Sequence, residues 1–330
     1  MKFIDFFAGI GGFRHGLELA EHKCIGFCEI DKYAVMSYTS MHLINENQKA
    51  LLSKLSLNKR QKEILKEEYR NGEWYANDIR NVQFSNLPRA DCWCCGSCCQ
   101  SFSINGKRLG LNGESGIIQE MFRLLSDASE QDKPEWIIIE NVKGILSSFR
   151  GFDFLSILSK MDRGGYDIEW SIFNSKDFGV PQNRERVYII GHLRTKGRKK
   201  ILPIIPTNEK ITSTINHKYI GIDYNVGGVE RNISNTIKAR YDAGVTNFKQ
   251  DGTAVIDLEP PKDVEKIYYK RRNQDIAIRK LTPRECFRLQ GWSDEYFDKA
   301  QFINSNTQLY KQAGNGVTIN IVKQIGEKLK

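Results

Sequence analysis

The sequence predicts an α/β fold, with a smaller second domain of short β-like runs inserted before the C-terminal helices. Short buried strands alternate with amphipathic helices from residue 2 to residue 191. That pattern belongs to a sheet whose ligands gather at the strand C-termini. The chain has 330 residues, beyond the roughly 250–300 at which a single core stops growing. Charge is also unevenly spread. Residues 192–279 carry 17 basic and 10 acidic side chains, and the other 242 carry 32 and 30.

Taken in order, residues 2–7 form a short apolar strand, followed by Ala8-Gly9-Ile10-Gly11-Gly12 and a helix through about Glu21. A second strand spans 24–29, and a helix starts near Asp31. Residues 46–72 are rich in Lys and Glu and read as a surface helical insertion. Further strands fall at 90–95, 136–140, 166–173 and 186–191, with helices between the first three. Past His192 the alternation stops, and Pro203, Pro206, Pro260 and Pro261 frame the second domain. Thr282-Pro283-Arg284-Glu285 starts a helix with an N-cap candidate and proline in the first turn, ending at Gly291. An amphipathic helix over 317–329 closes the chain. There are no internal repeats.

Composition excludes several classes. Hydrophobic residues make up 40% and charged residues 27%, the usage of a globular chain rather than a disordered or fibrous one. The apolar runs are four or five residues long, whereas a membrane helix needs about 18 or more. Asp5 interrupts the stretch where a signal peptide would be unbroken, so a cytoplasmic protein is expected. The net charge of +9, concentrated in 192–279 with Arg198-Lys199-Lys200 and Lys270-Arg271-Arg272, points to phosphate neutralisation by a dedicated module.

Five of the eight cysteines lie in Cys92-Trp93-Cys94-Cys95-Gly96-Ser97-Cys98-Cys99. The spacing brings a zinc site to mind, but no second ligand pair follows. No metal is expected. The run reads as a buried strand that uses cysteine as a small apolar residue and ends in one reactive thiol.

Gly9-x-Gly11-Gly12 between a strand and a helix suits close backbone approach by a ligand, yet it lacks the spacing of a pyrophosphate fingerprint. Glu29 at the next strand end can take ribose hydroxyls, and Asp78 can receive an exocyclic amine. One glycine turn with two strand-end carboxylates describes a nucleoside pocket that S-adenosylmethionine fits better than NAD. Glu140, ending Trp136-Ile137-Ile138-Ile139, should be desolvated and so shifted toward a proton-donating role. Arg184 and Arg186 sit at alternate positions and could point the same way, to hold an anion or to position Glu140.

These pieces together resemble the cytosine-C5 DNA methyltransferase family of the bacterial restriction-modification type. The matching elements follow the family order: Asp5 to Gly12, Glu29, Asp78, Cys99-Gln100-Ser101-Phe102-Ser103, Glu140-Asn141-Val142, Gln182-Asn183-Arg184-Glu185-Arg186, Leu281 to Glu285, Gln290-Gly291-Trp292 and Gln312 to Val317. They span the chain except for 46–72 and 193–279.

The resemblance implies a class I S-adenosylmethionine-dependent methyltransferase, with a Rossmann-like mixed sheet formed by 1–192 plus 280–330. A mostly β or irregular target-recognition domain would occupy 193–279. Phe7, Gly9, Gly12, Glu29, Asp78, Ile79, Asn315 and Val317 would line the cofactor site. Cys99 would add to cytosine C6 while Glu140 acts at N3, with Asn141, Arg184 and Arg186 in support. Gln100, Ser103, Arg108 and Thr236 would engage the DNA, with the target base flipped out of the duplex. The implied partners are double-stranded DNA and a restriction endonuclease acting on the same site. The chain would work as a monomer, without a membrane.

Cys98 stands where the family has proline. It restores a free φ and an N–H donor, and a vicinal disulfide with Cys99 would silence the thiol. A catalytically silent DNA-binding homologue is therefore one alternative. A tRNA cytosine methyltransferase is another, because a related branch acts on RNA; the basic segment favours DNA.

Overall fold

The computed structural model describes residues 1–96, 114–206 and 279–329, together with the backbone of 218–223, 227–231, 234–235, 252–257, 266–271 and 274–278. Strand β1 (Lys2–Phe6) stops where Phe7 turns to φ 56. Helix α1 (Gly12–Leu19) ends before Glu21, at φ 65. β2 (Lys23–Cys28) leads into α2 (Lys32–Tyr38), whose N-cap Asp31 accepts the Tyr33 amide at 2.9 Å. Helices α3 (Glu46–Ser53) and α4 (Leu57–Glu63) precede β3 (Trp74–Ala76) and β4 (Cys92–Gly96). Then come α5 (Ile118–Asp127), β5 (Trp136–Val142), α6 (Phe152–Arg163), β6 (Tyr166–Asn174), β7 (Gln182–Asn183) and β8 (Glu185–Leu193).

Seven strands form one sheet in the order β3-β2-β1-β4-β5-β8-β6. The pairs from β3 to β5 are parallel, and β8 runs antiparallel between β5 and β6. Both faces are covered, which explains the unbroken apolar run in β5. Ile137 and Ile139 join Trp93, Cys95, Met121 and Met161 on one face. Trp136 and Ile138 join Phe3, Phe13, Cys92, Cys94 and Ile325 on the other. Each such isoleucine, enclosed completely, contributes about 1.5–3 kcal/mol relative to exposure. The cysteines do serve as small core residues here, and Cys92, Cys94 and Cys95 are buried free thiols.

A second sheet in the order β10-β9-β12-β14-β13 follows, from β9 (Lys218–Asp223), β10 (Gly227–Arg231), β12 (Gly252–Asp257), β13 (Lys266–Arg271) and β14 (Gln274–Lys280). All of its pairings are antiparallel. The short β11 (Ser234–Asn235) pairs with β7 of the first unit. Helices α7 (Pro283–Arg288), α8 (Asp294–Gln301), α9 (Asn306–Asn315) and α10 (Ile319–Lys328) complete the chain. No helix among the described residues is long and apolar enough to cross a membrane.

Several expectations change. The 46–72 insertion is helical, but it is more than surface: Leu52, Ile64 and Tyr69 are buried with Met36 and Ile303. Arg60 also donates to the carbonyls of Leu52, Leu55 and Phe302. The final helix starts at Ile319 rather than 317, because Gly316 and Thr318 are extended. Helices α8 and α9 were not anticipated. Arg279, one of the basic residues counted toward phosphate binding, is buried in a two-armed pair with Glu285 at 2.9 Å. There it reinforces the Thr282 capping box at the start of α7.

Candidate active site

The register brings the chemistry to one sheet edge. Phe6 lies opposite Cys28 on β2 and Cys95 on β4; Gly96 lies opposite Glu140, and Glu140 opposite Tyr188. Adjacent strands are about 4.8 Å apart. The turn after Phe6, the residue after Cys28, the exit of β4 and Glu140 thus form a continuous row.

At one end of the row the backbone does the shaping. Phe7 (φ 56), Gly9 (φ 55) and Gly11 (φ 85) are all left-handed. For a phenylalanine that costs on the order of 1–3 kcal/mol. Three hydrogen bonds hold the turn. The Ala8 amide donates to Cys28 O at 3.1 Å, Gly11 to Ala8 O at 2.8 Å, and Gly9 to Glu29 Oε2 at 2.8 Å. A side chain built on Gly9 would meet nothing within 4 Å, so that side is open. One on Gly12 would come within 3.0 Å of Val317 O, which is why the 313–318 strip can lie against the turn.

Sequence reasoning missed Asp5 as a contributor. Gly11, at the N-cap of α1, has no side chain, and Asp5 accepts the Arg14 amide at 3.3 Å in its place. Burial pushes the Asp5 carboxyl up to about 8, opposed by the Arg14 amide and guanidinium. The signals were a lone carboxylate in an apolar strand and its place at the start of the family's first motif.

Glu29 is held by the amides of Gly9 and Asp31 (2.7 Å), and burial raises its pKa against them. Beside it Ile30 is 58% exposed. β3 ends at Ala76, two residues before Asp78. Asp78 instead caps a short turn and is gripped by Arg80, Nη2 to Oδ2 at 2.6 Å, which holds its carboxyl below the usual range. Ile79 is buried.

At the other end side chains dominate. Glu140 is 6% exposed, and Arg186 Nε lies 3.1 Å from its Oε1. Desolvation raises the Glu140 pKa, opposed by Arg186 and then Arg184. Among the described residues the two arginines have different hydrogen-bond partners. Arg184 is buried, and its guanidinium donates to Gly314 O (3.2 Å) and Gly316 O (2.7 Å). The reason is that Arg184 lies between β7 and β8 rather than within a strand, so strict alternation does not apply. Asn141 is fully buried, and its Oδ1 accepts the Val142 amide at 2.8 Å. Gln182 and Gln290 donate to Leu289 O and Ala313 O. These bonds tie the strip bearing Asn315 and Val317 to the sheet. Cys99, Gln100, Ser103, Arg108 and Thr236 lie outside the described residues. No group of three or more potential metal ligands occurs among the described residues.

Comparison with known proteins fits this geometry. The family of C-5 cytosine-specific DNA methylases matches residues 1–65 and 53–330. The chain belongs to that family. It is a DNA cytosine-C5 methyltransferase of the restriction-modification type. Among its relatives, type II methyltransferase M1.ScrFI of Lactococcus lactis subsp. cremoris is 30% identical over 345 residues, covering 99% of this chain and 77% of the relative. Type II methyltransferase M.NlaX of Neisseria lactamica is 28% identical over 357 residues, covering 100% and 96%. The fold of this methyltransferase is similar to that of EhMeth from Entamoeba histolytica, with TM-score 0.66, 18% identity and coverage of 100% and 97%. S. pombe Dnmt2 gives TM-score 0.65, 17% identity and coverage of 98% and 96%. The architecture is the class I, Rossmann-like one expected.

Proposed function

We propose that this methyltransferase uses S-adenosylmethionine to methylate C5 of a cytosine flipped out of a specific duplex DNA sequence, through a transient Cys99–C6 bond. One observation carries the reading. The buried Glu140–Arg186 pair lies directly opposite Gly96, three residues before Cys99.

The residues present suit the cofactor. Gly9 offers an open face, Glu29 a half-buried carboxylate for ribose hydroxyls, and Ile30 an exposed apolar surface. Phe7, Gly12, Asp78, Ile79, Asn315 and Val317 complete the proposed cradle. When bound, S-adenosylmethionine supplies an electrophilic methyl group on a sulfonium. The chain's own residues do the rest. Cys99 adds as thiolate to C6, and Glu140 places a proton at N3, so electron density moves to C5. Arg186 then stabilises the Glu140 carboxylate left behind. C5 takes the methyl group from the sulfonium, leaving the thioether; loss of the C5 proton to water then expels the Cys99 thiolate, and the N3 proton returns to Glu140. Asn141 and Arg184 hold the surrounding backbone.

Residues 1–192 with 280–330 form the catalytic unit in this reading, and 193–279 read the target through Thr236 and neighbours. Gln100, Ser103 and Arg108 face the DNA. The restriction-modification relatives support a cognate endonuclease for the same sequence. The test is a duplex with 5-fluorocytosine at the target, incubated with protein and S-adenosylmethionine. The expected result is a denaturation-resistant adduct that Cys99→Ala abolishes. No adduct with the wild type under strong reductant, or an equal one with the variant, refutes the reading.

A further inference from the structure

Beside Glu140 lies a buried polar group that the mechanism above does not use. Tyr188 is 1% exposed, and its hydroxyl makes no hydrogen bond among the described residues. Its ring is anchored with Phe173, at 5.6 Å between centroids, in the cluster that includes Phe178 and Val317. Phenylalanine would fill that space equally well, so packing alone gives no reason for the oxygen.

Register gives one. Tyr188 is the direct cross-strand partner of Glu140, and Arg186 lies two residues back on the same strand and face. On the opposite side Tyr188 pairs with the uncharged Ser171 of β6. The charged groups bearing on the hydroxyl are Glu140 from β5 and Arg184 and Arg186 at the start of β8. From β4, the buried Cys95 thiol also feels Glu140.

We infer that Tyr188 is a positioning residue for the reaction, its hydroxyl donating to the Glu140 carboxylate that remains once the proton has gone to cytosine N3. The inference rests on the proposed role of Glu140. A donor to the charged form makes Glu140 a stronger acid and gives Arg186 a second partner in holding the carboxylate's orientation. No bond is made or broken at Tyr188, and its proton stays on the phenol.

The experiment is Y188F, with tritiated S-adenosylmethionine and unmethylated plasmid DNA, followed as single-turnover methyl transfer across pH. Without the donor, Glu140 holds its proton more tightly. The high-pH limb of activity therefore moves up in pH, and the rate near neutrality falls roughly tenfold. Cofactor affinity and Tm should stay near wild type, because the ring is retained. A Y188F pH profile that superimposes on the wild type overturns the inference. So does a loss in E140Q/Y188F that simply adds to that of E140Q, since coupled residues are non-additive. A wild type that forms no 5-fluorocytosine adduct refutes the underlying reading and takes this inference with it. A wild-type adduct with an unshifted Y188F profile refutes Tyr188 alone.

Discussion

Around the glycine turn, the chain shapes its site with backbone: three left-handed residues, a cap from Asp5 and hydrogen bonds from backbone amides to Glu29. Around Glu140, on the same sheet edge, it uses side chains: one buried carboxyl, two arginines and a tyrosine hydroxyl. The first arrangement accommodates a ligand by removing side chains and holding amides in place. The second prepares a proton by withdrawing water from a carboxyl and then opposing that shift with nearby cations. In the proposed reading, binding and chemistry are assigned to opposite physical means, so substitutions in the two regions should fail differently.

The sharpest test of that division is Glu140→Gln. It keeps the shape but removes the proposed proton donor, and methyl transfer should fall by about 10²–10⁴-fold. Cofactor affinity, measured by calorimetry, should hardly change. Equal losses in both would dissolve the distinction between the regions. Next in size is Arg184→Lys, which cannot reach both Gly314 and Gly316 carbonyls with a planar fork. Losing charged hydrogen bonds of this kind costs about 1.5–3 kcal/mol. The cost should appear mainly as weaker cofactor binding, because the strip bearing Asn315 and Val317 is freed; a pure kcat effect would move Arg184 to the base side.

The smallest effect concerns Asp5 and pH. Its carboxyl is raised to about 8 when folded, while an unfolded Asp ionises near about 3.9. Between those values the native state holds a proton that the unfolded state has lost. Stability from this group is therefore full below about pH 4 and declines as pH rises toward about 8. Asp5→Asn can still accept the Arg14 amide but has no titration. Urea melts at pH 5 and pH 8 should show the variant gaining relative to wild type at the higher pH. A constant difference would mean that Asp5 is already ionised in the fold.

Local chemistry was readable in the chain. Gly9 and Gly11 announced a turn because only glycine takes that backbone freely, and Glu140 announced itself by ending an apolar strand. The Thr282–Glu285 cap was legible because its partners are three residues apart. Features made by distant segments were not. The insertion at 46–72 is polar in sequence, yet it buries Leu52, Ile64 and Tyr69 because Met36 and Ile303 come to meet them. Arg184 and Arg186 looked interchangeable until the break between β7 and β8 sent one to the Gly314–Gly316 strip and the other to Glu140.

By itself the sequence determined the alternation of strands and helices, the glycine turn and the order of the family's motifs, since each depends on residues near one another in the chain. Only the tertiary structure decided that β8 enters antiparallel beside β5. That one pairing sets Arg186 and Tyr188 against Glu140, and register between distant strands is fixed by what both faces bury, which no local run of residues encodes.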